Sequence, residues 1–103
     1  MQKKVKEFNQ QKNRHAGRMP VSARLMDIQS EMGELVKEYL KHSDYGSKDF
    51  ELEEDFKMEF ADCLYSMLSL ADELNFNAEE YLDKVIAKYK ARIENHGNMG
   101  SGR

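Results

Sequence analysis

A chain of 103 residues, 40% hydrophobic and 34% charged, with a formal net charge of −3, has the size and make-up of one small domain. It lacks the broad basic field of a nucleic-acid binder, its single cysteine, Cys63, excludes an internal disulfide framework, and no apolar run approaches the roughly 18 residues of a membrane span. No basic-then-apolar leader is visible. A cytoplasmic protein with no membrane and no nucleic-acid polymer as partner is therefore expected, and its small core predicts help from oligomerisation.

In chain order, Met1 to Arg14 is polar and basic, anchored only by Val5 and Phe8, and predicts a short, weak helix. Gly17 and Pro20 punctuate "HAGRMP" as a connection, so residues 1–19 read as weak helix and linker. A long helix is predicted from Val21 to His42. Within it, Leu25, Ile28, Met32, Leu35, Val36 and Tyr39 share one face at about 100° per residue. Beside that face run Asp27, Glu31, Glu34 and Glu38, each three or four residues from the next. Like charges at that spacing repel by roughly 0.2–0.5 kcal/mol per pair, so the alignment asks for a reason.

"SDYGSKD" is a loop by composition. The next helix is predicted from Leu52 to Leu74, with Glu53, Glu54 and Asp55 in a first turn where the helix dipole favours acids. Phe56, Phe60, Cys63, Met67, Leu70 and Leu74 form its apolar face, and Asp55, Glu59, Asp62 and Ser66 its edge. "NFN" breaks it. Asn77 can cap a last helix to Asn95, with Glu80 three residues on completing a capping-box pattern. There Leu82, Val85, Ile86, Tyr89 and Ile93 are apolar, with Lys84, Lys88 and Arg92 along the edge. Residues 97–103, "GNMGSGR", read as a flexible tail. No strand-like alternation occurs. The expected fold is all-α: one domain, 1–103, a bundle of three long helices plus a short N-terminal helix, completed by oligomerisation.

Adjacent helices pack through their apolar stripes, so the two acidic lines are expected to meet at one seam, with Glu31 and Glu34 facing Glu59 and Asp62. Four carboxylates packed together are costly, because desolvation and repulsion add. Such a group takes up protons or binds cations. Carboxylate oxygens suit magnesium, calcium or manganese, and neither line shows a histidine or cysteine to recruit zinc. Magnesium takes one or two protein carboxylates and leaves positions for water and phosphate, which suits phosphate processing. Lys84, Lys88 and Arg92 could clamp an anionic substrate. The plainer readings are a solvated acidic face bracketed by Arg24 and Lys41, and cations placed for a helix dipole. Cys63 reads as a buried small hydrophobe, Tyr65 as packing, and His15, His42 and His96 as surface residues.

The pair Glu31-Met-Gly-Glu34 and Glu59-Phe-Ala-Asp62, an ExxE followed by an ExxD, resembles the signature of the all-α nucleoside triphosphate pyrophosphohydrolases. "SEMGELVKE" and "EFADCLYSMLSLA" are most similar to the MazG-like branch, and Lys88 and Arg92 in "KYKAR" match its K-x-x-x-R. The resemblance covers about Pro20 to Asn95. It implies that Glu31, Glu34, Glu59 and Asp62 bind Mg²⁺, with Mn²⁺ a possible substitute. It implies cleavage of a nucleoside triphosphate between the α- and β-phosphates, a house-cleaning role in the nucleotide pool, and a homodimer or dimer of dimers. Glu34 and Glu38 are the catalytic candidates, Glu38 as the spare carboxylate that orients water or takes its proton. Phosphoribosyl-ATP pyrophosphohydrolase is a sister branch, but its Gly-Glu-Glu run is not matched, since Leu35 follows Gly33-Glu34. A non-catalytic helical dimerisation or partner-binding module is the alternative from another class.

Overall fold

A computed structural model describes residues 1–96, so the predicted tail lies outside the described residues. The fold is all-α: α1 Gln2–Ala16, α2 Val21–His42, α3 Glu54–Glu73 and α4 Ala78–His96, with no strand among the described residues. None of these helices is long and apolar enough to cross a membrane.

Local chemistry accounts for the boundaries. Pro20, with φ −64° and ψ 153°, holds an extended entry to α2. Asn75 takes φ 60° at the end of α3, and the Phe76 amide returns to the Ala71 carbonyl at 3.0 Å, so an asparagine supplies the left-handed stop that glycine commonly supplies. The Glu80 amide donates to Asn77 Oδ1 at 2.9 Å, the cap predicted for α4. α3 starts at Glu54, later than the predicted Leu52, with Glu53 extended at its N-cap.

α1 is a full helix of 15 residues, where a short, weak one was expected. Its support is polar as much as apolar. Buried Asn9 donates to Ser69 Oγ at 2.9 Å and accepts from the Tyr65 hydroxyl, and Phe8 meets the Tyr65 ring edge-on at 5.9 Å. Gln2 brackets the α3–α4 turn, donating to the Phe76 carbonyl at 2.9 Å and accepting from the Ala78 amide at 2.8 Å.

α2 and α3 form an antiparallel hairpin, with Arg24 at the start of α2 against Glu73 at the end of α3, and His42 beside Glu53 at the other end. The expected packing through apolar stripes is met only in part, by buried Cys63 and half-buried Ile28, Leu35, Phe56 and Leu70. Arg24, Cys63, Ser66 and Ser69 are buried, whereas Leu25, Met32, Val36, Phe60 and Met67 stay about half exposed. The hairpin closes along its acidic edge, because Cys63, Ser66 and Ser69 are small enough for close approach and Arg24 compensates the charge. The only buried apolar side chains among the described residues are Val5, Cys63 and Ala71. The accessible surface of 7937 Å² exceeds the about 6,000 Å² expected for a folded monomer of this mass.

Candidate functional site

The acidic seam begins with a structural clamp. The Arg24 guanidinium reaches Glu73 Oε1 through Nε and Oε2 through Nη2, both at 3.2 Å, and Asp27 Oδ2 through Nη1 at 3.5 Å, with the Tyr65 ring 5.7 Å away. Burial works against this charge, but the Glu73 hydrogen bond and the neighbouring negative charges more than compensate and push the guanidinium pKa up. The Ser66 hydroxyl also donates to Asp27 Oδ2 at 3.0 Å. Asp27, the first acid of the line, is thereby committed to packing. Only the plainer reading of the sequence used Arg24, as a bracket of a solvated acidic face, and no local signal marked it as interior.

About one turn further, Glu31 from α2 and Glu59 and Asp62 from α3 each bring a carboxylate oxygen within 4.8 Å of the others. Glu31 and Glu59 are half-buried, and Asp62 is exposed. Desolvation, then the charges of Asp62, Asp27, Glu59 and Glu34, raise the Glu31 carboxyl above its ordinary range. Desolvation, then Asp62, Glu34, Glu38 and Asp55, do the same to Glu59. The largest charges acting on these two groups are all negative. Burial pushes the adjacent Cys63 thiol up, and Glu31, Glu59 and Asp62 push it further, so it stays a neutral thiol and a poor ligand. Three hard oxygen donors with like charges drawn together fit magnesium or manganese, because a cation relieves the repulsion among them.

Glu34, predicted to complete this set, is exposed and stands 3.9 Å from Lys37 Nζ. Its charge reaches Glu31 and Glu59, but its oxygens lie outside the convergent trio. Glu38 is half-buried at the next turn, where its Oε2 is 3.2 Å from His42 Nε2. This corrects the reading of His42 as a surface residue without a partner, and the reading that no histidine joins the acidic line. The four-residue spacing from Glu38 was the missed signal. A cleft of about 310 Å³ beside Glu34 and Glu38 is lined also by Lys37, Leu40, Lys41 and Tyr45.

The basic line lies on α4. Lys84 Nζ is 4.5 Å from the centroid of the Tyr81 ring, and Lys88 Nζ and Arg92 Cζ are 5.5 and 5.8 Å from that of Tyr89. Arg92 Nη1 is shielded from water and has no hydrogen-bond partner among the described residues. Among those residues, no ion pair joins Lys84, Lys88 or Arg92 to the acids of α2 and α3. The chain folded alone brings the carboxylates together and leaves the cations apart from them.

Residues 19–96, which hold α2, α3 and α4, match the family described as MazG nucleotide pyrophosphohydrolase domain. No curated protein and no solved structure matches the chain.

Proposed function

Since the chain belongs to the family of MazG nucleotide pyrophosphohydrolase domains, we propose that it is a magnesium-dependent enzyme that cleaves nucleoside triphosphates between the α- and β-phosphates, releasing nucleoside monophosphate and pyrophosphate. The observation that carries this reading is the convergence of Glu31, Glu59 and Asp62 across α2 and α3 inside the matched span.

In this reading Glu31, Glu59 and Asp62 hold magnesium, or manganese in its place, and Glu34 adds negative charge from the rim. Magnesium when bound supplies positive charge to the phosphate oxygens and acidifies water. Glu38 orients the attacking water and takes its proton as the water oxygen bonds to phosphorus and the anhydride bond breaks, with pyrophosphate as the other product. Lys88 and Arg92, with Lys84 beyond them, hold the phosphate chain by charge-assisted hydrogen bonds.

The working unit is a homodimer or dimer of dimers in the cytoplasm. Half-exposed Met32, Val36, Phe60 and Met67, with Leu82 and Ile86 on α4, are apolar surface of the kind that a second copy covers. Such an assembly lets α4 of one protomer approach the carboxylate seam of its partner and so joins the two charge signs. The substrates are those of a nucleotide-pool house-cleaning enzyme. The test incubates the chain with Mg²⁺ and a panel of canonical and modified nucleoside triphosphates, with phosphoribosyl-ATP included, and follows the products by ³¹P NMR. Metal-dependent formation of monophosphate and pyrophosphate is expected. Release of orthophosphate, or no turnover across the panel, overturns the reading.

A further inference from the structure

We propose that Glu38, His42 and Asp55 form a second cation site, separate from the carboxylate trio, that takes a zinc-class transition-metal ion in preference to magnesium. One ligand atom from each residue lies within 4.8 Å of the other two. His42 Nε2 and Glu38 Oε2 are 3.2 Å apart, yet both atoms are shut off from water and neither is in line for a hydrogen bond. A buried imidazole–carboxylate contact that is not aligned as a hydrogen bond is uncommon and calls for an explanation. A tetrahedral zinc ion with bonds of about 2.0–2.1 Å spaces its ligand atoms about 3.3 Å apart. The separation of Glu38 Oε2 and His42 Nε2 matches that edge, and an ion between them takes a lone pair from each, which withdraws Glu38 from the water-activating role it has in the proposed hydrolysis.

The surroundings of the imidazole favour the same assignment. Glu53 Oε1 is 4.0 Å from His42 Nδ1, the ring nitrogen that faces away from Glu38. At that distance Glu53 makes no hydrogen bond to the ring, but it is the carboxylate placed to hold the proton on the far nitrogen once it moves within reach, leaving the near one free to coordinate. The donors also stand on a fixed frame. Glu38 and His42 occupy successive turns at the end of α2, and Asp55 the first turn of α3. Buried Ser43, the Glu51 amide on the His42 carbonyl at 3.3 Å, and the run of rings Tyr39, Phe50 and Phe56 at 5.0 Å centroid spacings hold those two helix ends together. Imidazole is a borderline donor that suits zinc, copper, iron or nickel, whereas magnesium prefers oxygen alone. The two clusters therefore sort cations by chemistry: three carboxylates for the hard ion, two carboxylates and an imidazole for the borderline one.

The test needs no nucleotide, so its failure is distinguishable from failure of the proposed hydrolase activity. The whole chain is titrated with Zn²⁺ in excess Mg²⁺ by calorimetry, and with Co²⁺ as a visible spectroscopic probe. One equivalent of Zn²⁺ is expected to bind despite the Mg²⁺, and Co²⁺ to show the absorption of a low-coordinate nitrogen–oxygen site. His42→Gln and Asp55→Asn are each expected to weaken Zn²⁺ at least tenfold, while Glu59→Gln leaves it within about twofold. Two-bond ¹H–¹⁵N spectra of the unsubstituted chain should show Nε2 of His42 coordinated and Nδ1 protonated. That measurement decides the matter if a variant fails to fold. Absence of Zn²⁺ binding, its displacement by Mg²⁺, or Zn²⁺ affinity that follows Glu59 and ignores His42 overturns the proposal.

Discussion

Single carboxylates carry most of the predicted chemistry. Asp62→Asn keeps shape and removes a charge from the convergent trio. It is expected to lower turnover by more than tenfold, a barrier change above about 1.4 kcal/mol, with helicity intact by circular dichroism. Glu34→Gln should also reduce the rate but weaken Mg²⁺ binding less, because Glu34 stands outside that trio. Retention of more than about a tenth of the rate in both variants would remove the metal assignment. The same residues set a pH dependence. The folded state raises the pKa values of Glu31 and Glu59, so it binds protons more readily than the unfolded chain. Their contribution to stability is therefore favourable in acid and declines as pH rises from the ordinary carboxylate range through the raised folded values. Without metal, Glu31→Gln should melt higher than the unsubstituted chain at neutral pH, and the difference should shrink on mild acidification. Added Mg²⁺ should lift the melting temperature of the unsubstituted chain and have little effect on that variant. Equal melting of both proteins at neutral pH would contradict the repulsion argument.

Between elements, the most buried ion pair among the described residues is Arg24–Glu73, which fastens the start of α2 to the end of α3, with side chains only 2% and 9% exposed. Arg24→Ala leaves a buried carboxylate without its partner, and such losses cost about 3–5 kcal/mol. Urea denaturation should show a loss of that size, and replacing Glu73 by Gln in the same chain should restore part of it. A loss below about 1 kcal/mol would mean that Glu73 turns to solvent once Arg24 is gone. α1 shows why weak hydrophobic periodicity understated a helix. Its docking residues include Asn9, which pairs with Ser69 and Tyr65 on α3, and a buried amide leaves no mark in an apolar pattern. α4 was legible in its cap and its basic edge, but its relation to α2 and α3 was not, since amphipathicity tells which residues share a face and not what covers it.

For the whole molecule, exposed apolar surface and separated charges point to the same outcome. Light scattering at micromolar concentration is expected to give a multiple of 12.0 kDa; the mass of one chain would refute the assembly. Arg92→Ala and Lys88→Ala should each raise KM for a triphosphate and lower kcat, with Mg²⁺ binding to the nucleotide-free protein unchanged. If α4 serves the partner's seam, Arg92→Ala and Glu59→Gln proteins, each impaired alone, should recover activity when subunits are exchanged. Random pairing into dimers restores about a quarter of the sites. No recovery after demonstrated exchange would place α4 over its own seam.

The sequence alone determined the helices and the chemistry along their edges. Pro20 and the Asn77 cap mark boundaries through local backbone and hydrogen-bond preferences, and the spacing of Glu31, Glu59 and Asp62 lines up donors within each helix. These are short-range properties, set by residues a few positions apart. Only the tertiary structure decided that α2 and α3 meet along the acidic edge, that Arg24 lies inside, that Glu34 stands aside, and that His42 joins Glu38 and Asp55. Those outcomes depend on how each helix is rotated about its own axis. That rotation is set by the side chains across the seam, where small Cys63, Ser66 and Ser69 admit a charged arginine and its partners, and no periodicity within one helix records what faces it.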